Sequence, residues 1–248
     1  MPRRPDVDLS RINDYKNLFL LAARAVCPEF ELRERDKPFI SDIFDWCMMN
    51  DDGVYDPDKG LFIWGNIGTG KSTLLQIIRI FTNIVRPVNK DGQPYNFRIY
   101  HASDVAFAYS NEDGGGYQAL IPFIKSQRIA FDELGNEERP ARHYGKPLNV
   151  FEHIFLHKAN MRFEGFWHAT SNMEPSQLGT FYGDRNFDRA KEMVNFVEMR
   201  GKTHRSCGKR IKDVIPDLVS FYNDPLTQRL LTLRNKWKDA SRTNKLPK

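Results

Sequence analysis

The stretch Gly65-Asn66-Ile67-Gly68-Thr69-Gly70-Lys71-Ser72 holds every fixed position of a phosphate-binding loop. Before it runs the apolar Leu61-Phe62-Ile63-Trp64, a predicted strand. After it, Leu74-Leu75-Gln76-Ile77-Ile78-Arg79-Ile80-Phe81 repeats apolar residues at helical spacing. Strand, glycine turn and helix in that order are the context the motif needs. The glycines let backbone N–H groups converge on an anion, and the helix N-terminus adds partial positive charge. Lys71 can reach β- and γ-phosphates, the Ser72 hydroxyl can ligate Mg²⁺, and residues Gly65 to Thr73 are expected to line the nucleotide. The chain is expected to bind a nucleoside triphosphate with Mg²⁺.

Working outward, four further strands are predicted at Phe97–Ala102, Ile129–Asp132, Phe166–Ser171 and Val194–Met199. Helix-like segments or long loops separate them, the pattern of a doubly wound parallel α/β sheet. Upstream, Tyr15–Val26 and Phe39–Met49 read as helices on either side of the charged run Glu29–Lys37. Downstream, Asp213–Trp237 reads as helical with interruptions at Pro216 and Pro225, and the last ten residues as a frayed tail. The expected organisation is a helical segment over 1–55, a nucleotide-binding core over 56–206 and a basic helical extension over 207–248.

Two acids end the third strand, Arg128-Ile129-Ala130-Phe131-Asp132-Glu133. Beside a phosphate loop, Asp132 would hold Mg²⁺ and Glu133 would polarise an attacking water. The alternative is a pair of acids capping the next helix. The fourth strand ends in Ala169-Thr170-Ser171-Asn172. Were it to lie between the first and third strands, Asn172 could bond both γ-phosphate and water; otherwise Ser171 or Asn172 caps the helix after Glu174-Pro175. On spacing alone Arg185, Arg189 and Arg205 are surface arginines.

The 248 residues, 40% apolar and 12% aromatic, suffice for a substantial core. No window approaches the roughly 18 apolar residues of a membrane span. The N-terminus shows no signal-peptide core, and Cys27, Cys47 and Cys207 are far apart and odd in number, so a reducing, cytoplasmic setting is expected. The net charge of +5 is uneven: from Arg200 onward there are 13 Lys and Arg against 4 Asp and Glu. That end suits contact with a polyanion or is a solvated tail.

Taken in order, GNIGTGKS, IAFDELG, ATSNMEP, GDRNFDR and VEMRGKTHR resemble the AAA+ ATPases of the bacterial helicase-loader family and its transposon-borne branch, the DnaC/IstB-like group. The resemblance implies a five-stranded sheet in strand order 5-1-4-3-2 and ATP as the nucleotide. It also implies a γ-phosphate sensor at Asn172, an arginine finger at Arg189 and a second phosphate-reading arginine at Arg205. Ala190 stands where a large apolar residue usually follows the finger. Thr203 and His204 replace the usual serine and aromatic before Arg205. Family members polymerise, so a homo-oligomer on single- or double-stranded DNA is expected, with a replicative helicase or a transposase as partner. A layout like that of initiator and loader ATPases would place Phe107, Tyr109 and Tyr117 near single-stranded DNA, with Lys125 and Arg128 on its phosphates. Phe107 reads better as core, while Tyr109 and Tyr117 stay open.

His153 and His157 have ligand-like spacing but read as packing, and Glu137–His143 reads as a surface loop. The rival of another class is a P-loop small-molecule kinase, which would have no use for Glu133. A scaffold that binds ATP without hydrolysing it is a third reading.

Overall fold

The computed structural model describes residues 9–85, 96–160, 166–201 and 215–243. In chain order the elements are α1 (Ile12–Val26), α2 (Lys37–Cys47), β1 (Gly60–Trp64), α3 (Lys71–Val85), β2 (Arg98–His101), α4 (Ala102–Ser110) and α5 (Tyr117–Lys125). Then follow β3 (Arg128–Leu134), β4 (Ala141–His143), β5 (Lys146–Leu148), α6 (Val150–Asn160) and β6 (Phe166–Ser171). The chain ends with α7 (Pro175–Tyr182), α8 (Asp184–Lys191), β7 (Val194–Glu198), α9 (Ile215–Asn223) and α10 (Pro225–Thr243). Contacts divide the chain into a sheet unit, Asp58–Ser72 with Phe97–Ser206, and a helical unit, Met1–Pro57, Thr73–Asn96 and Cys207–Lys248.

The sheet unit is built on five parallel strands in the order β2-β3-β6-β1-β7. Counted along the chain these are core strands two, three, four, one and five, which is the expected 5-1-4-3-2 order of an AAA+-type P-loop NTPase. The central strands are rich in apolar residues because both faces are covered. Leu61, Phe62 and Ile63 are fully buried, as is every residue of β6. Phe62 packs edge-on to Trp167 at 6.4 Å, and Phe155 tilts against Trp167 at 5.0 Å.

Gly60 and His168 are among the residues that interrupt that apolar interior. A Cβ on Gly60 would lie 1.7 Å from the Trp167 carbonyl oxygen, so no larger residue fits where β1 begins. One residue on, Leu61 donates its N–H to His168 Nδ1 at 2.9 Å. His168 is fully buried, and burial pushes its pKa down to about 3. It is held as the neutral ring with Nδ1 as acceptor.

Sequence and structure part at three places. The segment expected as a surface loop carries the antiparallel β4–β5 hairpin, and its Glu137 is buried. Glu137 Oε1 accepts the Tyr182 hydroxyl, and Oε2 accepts the Gly135 N–H at 2.8 Å. Alternation is weak in so short a strand pair, and charge concealed the burial of Glu137. On α4 Phe107, expected in the core, is 72% exposed, and Tyr109, open on sequence alone, is buried. Phe107 shares its helix face with the exposed Ser103 and Asp104, whereas Tyr109 continues the buried row of Ala102, Val105 and Ala106. Of the expected frayed tail, α10 extends the helix as far as Thr243. The Pro225 interruption is a helix start, where Asp224 Oδ1 accepts the Leu226 N–H at 2.8 Å.

In the helical unit, Phe19, Phe44 and Phe81 from α1, α2 and α3 form a triangle with ring centroids 5.3–6.0 Å apart. Arg229 pairs with Asp14, and Arg234 donates to the Asn83 carbonyl at 2.9 Å. Cys47 is fully buried at the end of α2, and burial pushes its thiol pKa strongly up. Among the described residues no helix is long and apolar enough to cross a membrane.

Candidate functional site

The loop from Gly65 to Gly70 leaves β1 and enters α3 at Lys71. Gly65, Gly68 and Gly70 all have positive φ. At Gly65 a side chain is doubly excluded, because its Cβ would also meet the Met199 carbonyl oxygen at 2.4 Å. Thr69 Oγ1 donates to the Asn66 carbonyl at 2.9 Å, which tightens the turn. Lys71 is 7% exposed, and its ammonium donates to the carbonyls of Gly65 at 2.9 Å and Asn66 at 2.8 Å. Its charge is thus fixed over the loop rather than spread into solvent. Asn66 and Ile67 form the exposed crest of the loop, and Thr73 follows Ser72 in the first turn of α3.

Ser72 Oγ donates to Asp132 Oδ1 at 2.9 Å, which brings the loop to the tip of β3. These two hard oxygens suit Mg²⁺, which commonly takes one or two protein oxygens and completes its shell with phosphate and water. Among the described residues no group of three or more His, Cys, Asp or Glu forms a metal cage elsewhere. The positive-φ glycines, the helix start and the Lys71 charge fit a polyphosphate.

β3 does not end smoothly. Phe131 pairs with Ala169 and Leu134 with Ser171, so one extra residue is accommodated on β3. Glu133 takes up the irregularity with φ 61° and an exposed side chain. A non-glycine residue in that region costs about 1 kcal/mol or more, and such conformations concentrate at functional sites. Next to it Asp132 is almost wholly buried, and its Oδ1 also accepts the Thr170 hydroxyl. Its Oδ2 lies 3.8 Å from Nδ1 of His101, the register partner at the end of β2.

β6 lies between β1 and β3 and delivers Asn172, exposed, just beyond its tip. Ser171 Oγ donates to the Leu134 carbonyl at 2.7 Å and accepts the Met173 N–H at 3.0 Å. The following helix is not capped by Ser171 or Asn172. Glu174 and Gln177 form a capping box there. Arg189 falls within α8, but its side chain, like that of Arg185, lies outside what is described; Arg205 lies outside the described residues altogether.

Sequence reading missed Thr170 and His101. Both became visible only through register: Thr170 falls opposite Asp132 and Glu133 between the pairs Phe131–Ala169 and Leu134–Ser171, and His101 falls opposite Asp132. His153 and His157 meet edge to face with ring centroids 4.5 Å apart, and Tyr117 packs edge-on against His153 at 5.1 Å. Burial, with His157 adding to it, lowers the His153 pKa.

No protein-family model matches the chain, and no curated protein matches it. Among solved structures it is similar to the DnaC helicase loader, at 14% identity and a TM-score of 0.49, over 71% of this chain and 96% of that one. It is similar also to AMPPCP-bound DnaA from Aquifex aeolicus, at 17% identity and a TM-score of 0.44, over 85% and 68%. A DNA replication initiation factor matches at 19% identity and a TM-score of 0.47, over 85% of this chain and 62% of that one. At such identities likeness is one of fold.

Proposed function

We propose that this chain is a DNA-associated AAA+ ATPase of the helicase-loader type. In this reading it binds ATP with Mg²⁺, assembles as a homo-oligomer, and loads or regulates a partner on DNA. The observation that carries the reading is the meeting of Lys71, Ser72 and Asp132 beside a backbone-strained Glu133. A kinase that passes phosphate to a metabolite has no use for that last carboxylate.

Lys71 would pair with the β- and γ-phosphates, with Ser72 and Asp132 on the metal side. Bound Mg²⁺ would neutralise charge developing on the phosphate oxygens. Glu133 would orient and deprotonate the attacking water, and Asn172 would report on the γ-phosphate. Arg189, reaching a neighbouring subunit's site, and Arg205 would stabilise the transferring group. The DNA-facing candidates are the exposed Phe107, Tyr117, Lys125 and Arg128, not the buried Tyr109.

The test is steady-state ATP hydrolysis with and without single-stranded and duplex DNA, with size-exclusion chromatography on the same samples. DNA-stimulated turnover and ATP-dependent assembly are expected. Glu133→Gln should lower turnover by roughly 10²–10⁴ while retaining bound ATP. Stoichiometric phosphate transfer to a metabolite, indifferent to DNA, would make the chain a small-molecule kinase. A preference for duplex DNA together with capture of a transposase would favour the transposition branch.

A further inference from the structure

One hydroxyl in the sheet unit serves both acids of the candidate site. Thr170 is 1% exposed, and its Oγ1 donates to Asp132 Oδ1 while accepting the Glu133 N–H at 2.8 Å. A hydroxyl has one proton and two lone pairs, so both bonds form at once and fix the rotor. With its proton committed to Asp132, Thr170 can offer Glu133 only a lone pair, which is what an N–H requires.

The Glu133 N–H needs such an acceptor. The irregularity between Phe131 and Leu134 takes it out of the regular ladder, and φ at Glu133 is 61°. A side-chain acceptor from the neighbouring strand compensates that conformation, as over-determined strain requires. Asp132 is pinned in parallel: Ser72 Oγ at 2.9 Å and Thr170 Oγ1 both address Oδ1, while Oδ2 turns towards His101. Ser171, the next residue, ties the Leu134 carbonyl and so closes the irregularity from its other side.

We propose that Thr170 is a positioning residue: its hydroxyl holds the left-handed turn that aims the Glu133 carboxylate and locks the rotamer of Asp132. This rests on the reading of Glu133 as the water-activating base.

The experiment compares the full-length parent with Thr170→Val, Thr170→Ser and Glu133→Gln. ATP turnover, affinity for a fluorescent ATP analogue and amide hydrogen exchange at Glu133 are measured on each. Thr170→Val keeps the shape and loses the hydroxyl. It should lower kcat about 10- to 100-fold, the usual scale for partners that orient a site. KM for ATP should stay within about threefold, and the Glu133 amide should exchange faster. Thr170→Ser should recover most of kcat and the slow exchange. If Thr170→Val does not unfold cooperatively, Thr170→Ala carries the same comparison.

Parent-like kcat in Thr170→Val, or a Thr170→Ser variant as impaired as Thr170→Val, overturns the proposal. So does a kcat loss matched by an equal loss of nucleotide affinity, which marks a merely structural role. Should Glu133→Gln hydrolyse ATP like the parent, the base assignment fails and the Thr170 proposal with it. Impaired Glu133→Gln beside normal Thr170→Val sinks only the latter.

Discussion

The polar seam between β3 and β6 and the aromatic face of α4, α5 and the β4–β5 hairpin belong to the same unit but are organised differently. In the seam each polar atom is placed by another: Ser72 and Thr170 on Asp132, Thr170 on Glu133, Ser171 on Leu134. On the aromatic face rings stack loosely, with Tyr109 6.1 Å from Tyr117 and 5.9 Å from His143, while Phe107 and Tyr144 are more than 70% exposed. The seam spends its side chains on fixing one geometry. The face leaves the rings of Phe107, Tyr117 and Tyr144 in water.

Substitutions can break or sharpen that contrast, beginning where the effect is largest. Tyr109 is the one ring of the face that belongs to the interior, its hydroxyl 3.4 Å from the Lys146 carbonyl. Tyr109→Ala should cost about 3–5 kcal/mol in chemical denaturation, the range for truncating a large buried aromatic. A loss below about 1 kcal/mol would mean the face is uniformly superficial. At the rear of the seam, Tyr182→Phe would leave the buried Glu137 carboxylate without the Tyr182 hydroxyl. A loss of about 1–3 kcal/mol is expected.

Titration sharpens the contrast further. The folded-state pKa of His168 lies below its unfolded value near 6.5, so the neutral ring contributes stability that is fully present above that pH. The contribution is lost as pH falls from there towards about 3, at up to about 1.4 kcal/mol per pH unit. His168→Gln, which keeps an acceptor near Leu61 N–H and cannot titrate, should flatten that part of the stability profile. An unchanged profile would assign the acid sensitivity to other groups. The smallest effect belongs to Phe107→Ala with Tyr144→Ala, expected to shift stability by less than about 0.5 kcal/mol. The same pair should weaken single-stranded DNA binding measured by fluorescence anisotropy. Unaltered affinity would remove Phe107 from the proposed contact.

The contrast also explains what was legible. A glycine loop with fixed spacing reports its own geometry, so Gly65 to Ser72 and the acids of β3 could be read from the chain itself, and so could the five core strands. Thr170 could not, because it became a partner of Asp132 only through strand register and a one-residue irregularity, both set by pairing across distant segments. Phe107 was misjudged because its ring was read without its helix face: it lies three and four residues after the exposed Asp104 and Ser103, whereas Tyr109, open on sequence alone, follows the buried Val105 and Ala106. Glu137 was taken for surface because a carboxylate ordinarily is. Its burial depended on a tyrosine 45 residues away.

Cys47 has a use of its own. Among the described residues the cysteines are Cys27 and Cys47, and both fall in the helical unit. With its sulfur enclosed and its thiolate suppressed, Cys47 cannot be alkylated until α2 opens. Its labelling rate is therefore a built-in clock for the breathing of the helical unit around α2, readable by mass spectrometry.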